Sequence, residues 1–219
     1  MRLILAFALL LALPASASAA PALQLQLDKP SVRYGATHTV TGTLTDGTAP
    51  LANQEIVLEG QRYPFKGSFR ELARATTDAA GAFAFKPALD RNHRLRVVAP
   101  AQGAVSQAVR AYVLPSFELS FRAVKPGVAR IYQRYTVPKT VKLTAPTLFY
   151  LGAHGAARST KRVSAKTKRT SAGHYTAIAT VHLPASWHGR FRFGSCFRTS
   201  QGSGMGEPLA TCPKLHLRF

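Results

Sequence analysis

The stretch 37–60, THTVTGTLTDGTAPLANQEIVLEG, followed by 73–85, ARATTDAAGAFAF, decides how the chain is read. Val40, Gly42 and Leu44 fall on one side of an alternation whose other side is Thr39, Thr41, Thr43 and Thr45. A period of two is that of a half-buried strand, and β-branched threonine suits its exposed face. Asp46-Gly47 supplies a turn, and Pro50 keeps the strand from simply continuing. Ile56 and Leu58 then point inward between Glu55 and Glu59. A strand over 70–77 passes through the tight connection Asp78-Ala-Ala-Gly81 to another with Phe83 and Phe85 inside. Nothing in the stretch is chemically reactive.

The same period recurs outward from it. Leu23, Leu25 and Leu27 alternate with glutamines, while Val32 to Gly35 reads as a short kink. Leu95 and Val97 mark a strand, and Val109, Ala111 and Val113 mark the last of about seven, with no helical periodicity. Regularly spaced short strands predict an all-β sandwich. The ordered runs VTGTLTD (40–46), PLANQEIVL (50–58) and TTDAAGAFAF (76–85) resemble bacterial Ig-like domains and the related carboxypeptidase-regulatory-like modules. The resemblance covers about residues 23–114. It implies a seven-stranded sandwich used as a stalk, spacer or adhesive module of exported proteins, and it carries no catalytic residue with it.

The expected architecture is an N-terminal signal peptide followed by two tandem Ig-like antiparallel β-sandwich domains. Arg2, the apolar run Leu3–Leu13, Pro14 and the small residues up to Ala19 make a secretory signal over 1–19. An uncleaved membrane anchor is the other reading of that segment, disfavoured because the apolar run is short for a span. Residues 20–114 form the first sandwich and 115–219 the second, joined through Pro115 and Ser116 alone, which predicts a semi-rigid joint. Within the second, strands are expected over 127–135, 140–151, 160–168, 174–183, 189–197 and 211–219. Gly194 is expected to mark a bulge, because strict alternation puts Phe191 and Phe193 on a face that excludes Cys196. In an exported protein, Cys196 and Cys212 are expected to form one disulfide. It closes a 16-residue separation and contributes about 3 kcal/mol by the loop-entropy model.

Charge is the outlier. The net charge is +20. Residues 21–114 hold 11 Lys and Arg against 7 Asp and Glu, whereas 115–219 hold 17 against 2, Glu118 and Glu207. The densest run is RSTKRVSAKTKR over 158–169. As a strand, it puts Arg162, Ser164, Lys166 and Lys168 on one face. With Arg158, Lys161 and Arg169, these are the candidate anion-binding residues. The partner expected is an anionic cell-wall or surface polymer. The bland alternative is an edge strand whose charges block edge-to-edge pairing. Nucleic acid would bind through its phosphates, but there is no recognition motif, and export makes it an unsuitable partner.

A second candidate is the loop 61–70, where Tyr63, Phe65 and Phe69 interleave with Arg62, Lys66 and Arg70. It is either a recognition loop for a protein or carbohydrate partner or an aromatic cap on an open end of the sandwich. A purely structural spacer is the remaining reading.

Catalysis finds little support. Two carboxylates in the second half nearly exclude a paired acid and base there. The seven histidines are scattered, and His174 and His182, on one strand face, stand about 26 Å apart, beyond shared metal ligation. Asp28, Asp46 and Asp78 are too dispersed for calcium. Gly202–Gly206 reads as a flexible hairpin tip, and Trp187 as core or a sugar platform. The chain is read as non-enzymatic, without cofactor or metal, secreted and possibly wall-associated.

Overall fold

A computed structural model of the chain describes residues 20–143, 146–153, 160–183, 190–197, 203–206 and 214–218. The fold is all-β. Strands of the N-terminal half are β1 (Pro21–Leu27), β2 (Ser31–Arg33), β3 (Val40–Asp46), β4 (Ala49–Pro50) and β5 (Glu55–Arg62). They continue with β6 (Arg70–Thr76), β7 (Ala82–Phe85), β8 (His93–Ala99), β9 (Ala104–Val105) and β10 (Val109–Leu114). One sheet is built on β3, which pairs with β1, β4 and β7; the other runs β2-β10-β8-β5-β6, with β9 on β8. Val40, Leu44, Phe83 and Phe85 from the first pack with Ile56, Leu58, Leu95, Val97, Ala111 and Val113 from the second. The alternation seen in 37–85 is therefore the core alternation.

Gly42 sits opposite Phe83 in the register, and a β-carbon there would meet the Phe83 ring and the Gln24 carbonyl. The ring occupies the space the glycine leaves, which is why the inward series Val40-Gly42-Leu44 tolerates a residue without a side chain. Thr77, buried, closes the turn region by donating to the Leu51 carbonyl at 2.7 Å and accepting from Gln54 N–H at 2.9 Å. Asp78 Oδ1 accepts from the N–H groups of Ala80 and Ala82, both at 2.9 Å, so the aspartate orders the connection into β7. Residues 32–35 are not merely a kink. Ser31–Arg33 runs parallel to Tyr112–Leu114, because the backbone beyond Pro30 can still pair although three residues show no period.

The C-terminal half contains β11 (Ser116–Lys125), β12 (Val128–Thr136), β13 (Thr147–Ala153), β14 (Thr160–Ala165) and β15 (Thr167–Ser171). It also contains β16 (His174–His182), β17 (Arg190–Phe197) and β18 (Lys214–Arg218). Its sheets run β11-β12-β16-β15 and β14-β13-β17-β18. No described strand of one half pairs with a strand of the other. Ile131, Tyr135, Phe149, Leu151, Ala177 and Val181 are buried between these sheets. A polar tie crosses that core. Tyr135 Oη on β12 lies 2.7 Å from Thr147 Oγ1 on β13, which lies 3.1 Å from Thr167 Oγ1 on β15.

Three expectations are corrected. The strand expected over 140–151 begins only at Thr147, after Pro146, which has no N–H to give a ladder; Val141 and Leu143 are buried without being strand. The segment 160–168 is two strands, not one, dividing at Lys166 so that β14 and β15 lie at the edges of different sheets. Pairing of β13 with β17 runs through Gly194 without a shift, so there is no bulge, and Cys196 simply stands opposite Leu148.

The glycine-rich segment is also not a free tip. Residues 203–206 are seated on the N-terminal half, with Met205 only 2% exposed. Asn92 N–H donates to the Gly204 carbonyl at 2.7 Å, and Gly206 N–H donates to the Val113 carbonyl at 2.9 Å. Nearby, Arg91 donates to Thr140 Oγ1 at 2.7 Å, and the Arg33 guanidinium lies 4.4 Å from the centre of the Phe117 ring.

Candidate functional site

On β12, Ala129, Ile131, Gln133 and Tyr135 point into the core, which turns Arg130, Tyr132 and Arg134 outward. Register then assembles a face across four strands. One row is Glu118, Arg134, Thr176 and Lys168; the next is Ser120, Tyr132 and Ile178; the third is Arg122, Arg130 and Thr180. Arg122, Arg130, Arg134 and Lys168 are exposed, Tyr132 is half-buried, and Ile178 is 51% exposed. The result is a sheet face with cations around a small aromatic and aliphatic centre. Glu118 is the one carboxylate among its described residues.

Local compensation differs between the halves. Among the described residues, the ion pairs are Arg62–Asp90, Arg74–Glu55, Arg74–Glu71 and Arg96–Glu59, all in the N-terminal half. Arg74, hydrogen-bonded to Glu71, holds that carboxyl below its ordinary range. Among the described residues, Arg122, Arg130, Arg134 and Lys168 have no such partner.

The basic run is redistributed by the strand break. Lys168 joins the outer face, opposite Thr176, and exposed Arg169 bends back to donate to the Ser171 carbonyl at 3.2 Å. Arg162, exposed, stands opposite Tyr150 on the other sheet, and Lys166 is exposed at the corner between them. Lys161 occupies the register position opposite Leu151, and Arg158 lies outside the described residues. Arg122, Arg130 and Arg134 were missed as site residues in the sequence reading. Their signal was present, since they share the outward phase of strands whose inward phase, Gln133 apart, is apolar.

In the loop 61–70, the rings of Phe65 and Phe69 are half-buried beneath Arg94 and Arg96 of β8, whose guanidinium carbons lie 5.0 and 4.2 Å from the ring centres. Tyr63 meets Phe65 edge-on at 5.5 Å, Arg62 pairs with Asp90, and Lys66 and Arg70 are exposed. Gln61 Nε2 donates to the Gly67 carbonyl at 2.7 Å.

The histidines separate into two kinds. His38 and His93 are buried, and burial pushes both imidazoles below their ordinary value. His38 Nδ1 is 3.4 Å from the Lys29 carbonyl, and His93 Nδ1 is 2.8 Å from that of Arg91. His174 and His182 are exposed at opposite ends of β16. His216 lies opposite Arg192, whereas His154, Trp187, His188 and Cys212 are outside the described residues. No grouping of three metal-ligating side chains occurs among the described residues.

No protein-family model and no curated protein matches the sequence. Among solved structures the chain is similar to red sea bream transglutaminase, at 13% identity and a TM-score of 0.40, over 90% of this chain and 31% of that one. It is also similar to E. coli alpha-2-macroglobulin, at 12% identity and 0.35, over 92% and 14%. A Salmonella alpha-2-macroglobulin mutant follows at 11% and 0.34, over 94% and 15%. The chain thus spans less than a third of the length of each.

Proposed function

We propose that this chain is an exported, non-catalytic protein of two Ig-like sandwiches, in which residues 20–114 serve as a spacer and 115–219 bind an anionic envelope polymer. Pairing order supports the Ig-like reading. In chain order, the C-terminal strands pair first-second-sixth-fifth in one sheet and fourth-third-seventh-eighth in the other, the Greek-key exchange of such sandwiches. The observation that carries the binding reading is the outer face of β11-β12-β16-β15, where Arg122, Arg130, Arg134 and Lys168 share one exposed surface with a single carboxylate. Cations left without counter-charges raise the local concentration of polyanions and hold them by many weak contacts. Binding is assigned to this face rather than to loop 61–70 because the loop's phenylalanines are already engaged by Arg94 and Arg96.

Co-sedimentation with cell-wall preparations across a salt series tests the reading. Retention should fall steeply between about 0.05 and 0.5 M salt, as the screening length contracts. Replacing Arg130, Arg134 and Lys168 with glutamine should abolish it, and shortening the loop 61–70 should not. Retention indifferent to salt and to these substitutions would falsify the electrostatic reading.

A further inference from the structure

Arg122 and Arg130 stand directly opposite one another on neighbouring strands, both on the outer face and both exposed. Side chains so paired start about 5 Å apart, and like charges in that position repel. The rest of the row offers no relief. It ends in Thr180, whose hydroxyl is neutral, and the adjacent row is Ser120, Tyr132 and Ile178. The nearest carboxylate on the face, Glu118, is two rows away opposite Arg134. Elsewhere in the chain some strand arginines do find carboxylates: exposed Arg74 takes both Glu55 and Glu71, and half-buried Arg96 takes Glu59. Among the described residues, the pair at 122 and 130 is therefore a double cation without a counter-charge, held on neighbouring strands of one sheet.

Resting on the polymer-binding reading above, we propose that Arg122 and Arg130 form a two-guanidinium cradle for a phosphoryl group carried by the polymer. A carboxylate has two oxygens and one charge, and a single guanidinium satisfies it through its fork. A phosphate monoester carries between one and a half and two negative charges near neutral pH and presents three strong acceptor oxygens. It can accept from both guanidiniums at once and cancel their repulsion, which a lone carboxylate does less well. Thr180 adds a hydroxyl donor in the same row, and the exposed Ile178 and half-buried Tyr132 beside it provide an apolar shelf for the polymer backbone. Arginine rather than lysine is what this geometry calls for, since the planar fork bonds two oxygens in one orientation.

The test compares two polymers on one backbone, phosphorylated dextran and carboxymethyl dextran of matched charge density, with uncharged dextran as blank. The wild-type protein should bind the phosphorylated polymer more tightly. The R122Q/R130Q variant should bind it at least about tenfold more weakly, while losing much less on the carboxylated one. The K166Q/K168Q variant removes the same charge outside the 122–130 pair and should weaken both polymers alike. Conversion to R122K/R130K, keeping the charge but not the fork, should abolish the preference and leave carboxymethyl dextran binding nearly unchanged. The glutamine variant removes a repulsion, so its thermal midpoint should match or exceed the wild type's. Equal losses on both polymers in R122Q/R130Q overturn the cradle while leaving the electrostatic reading intact. Binding of neither polymer overturns both. Binding to phosphatidic acid vesicles without binding to phosphorylated dextran overturns the assignment to a polymer.

Discussion

Asn92 holds Gly206 from the far side of the sequence: its Nδ2 donates to the Gly206 carbonyl at 2.9 Å, while its Oδ1 accepts from Val113 N–H at 2.8 Å. One amide, 8% exposed, thus bridges the last core strand of the N-terminal half and a residue 114 positions downstream of Asn92 itself. Truncation by N92A leaves the buried Val113 N–H and the half-buried Gly206 carbonyl without these partners and should cost about 2–3 kcal/mol, read from the urea midpoint. N92D retains the acceptor and loses the donor, so its loss should be of a different size. Equal stability of N92A and wild type would show that the bridge carries no net energy.

Gly204 depends on the same junction. Its φ of 69° is left-handed, and a β-carbon there would lie 2.7 Å from Cδ1 of Tyr63. G204A should destabilise by about 1–3 kcal/mol through the backbone alone, with the ring contact added. In a Y63A background the added part should vanish. Measured ΔΔG values that simply sum across the two sites would argue against contact between the ring and position 204.

Acid should loosen the N-terminal half early. Burial holds the folded pKa of His38 and His93 below the ordinary value, whereas the unfolded chain takes up protons near pH 6.5. The neutral forms therefore contribute stability that is complete above that pH and lost as pH falls from there through the folded pKa values. Asp28 beside His38 and Asp90 beside His93 oppose the shift, and Arg62 and the mutual repulsion of the two imidazoles reinforce it at His93. The denaturation midpoint should be level between about pH 8 and 7 and decline between about 6.5 and 5. A midpoint that rises over the lower interval would contradict the assignment.

The tie between the C-terminal sheets can be probed at two tyrosines. Y135F leaves Thr147 still bonded to Thr167 and should cost about 1 kcal/mol. Y175F strips the Val141 carbonyl of the 2.9 Å bond from Tyr175 Oη in a buried site, and should cost more. The reverse order in a denaturation series would reject this account of the core.

The alternation at 37–60 and 73–85 was enough, read alone, to place strands, turns and inward residues of the N-terminal half. Each depends on period two and on turn residues within a few positions of one another, and such information is local. The same applies to the strand carrying Tyr175, Ala177, Ala179 and Val181, all buried on one face of β16. Composition likewise showed the charge imbalance between the halves.

Partnership across strands was decided only by the tertiary structure. Nothing near Arg122 in the sequence indicates that Arg130 will stand opposite it, because the turn between β11 and β12 and a shift near Ala123 set that register. Lys166 reads as the middle of a strand, yet two sheets compete for the chain there, and the segment crosses from one to the other. Gly202–Gly206 reads as a mobile tip because glycine permits motion; the same freedom lets Gly204 and Gly206 take the left-handed conformations in which they meet Tyr63 and Asn92. Sequence determined which residues face inward, a property of the chain's own repeat. Which charges stand together, and which glycines are held, depend on contacts between segments far apart in the chain.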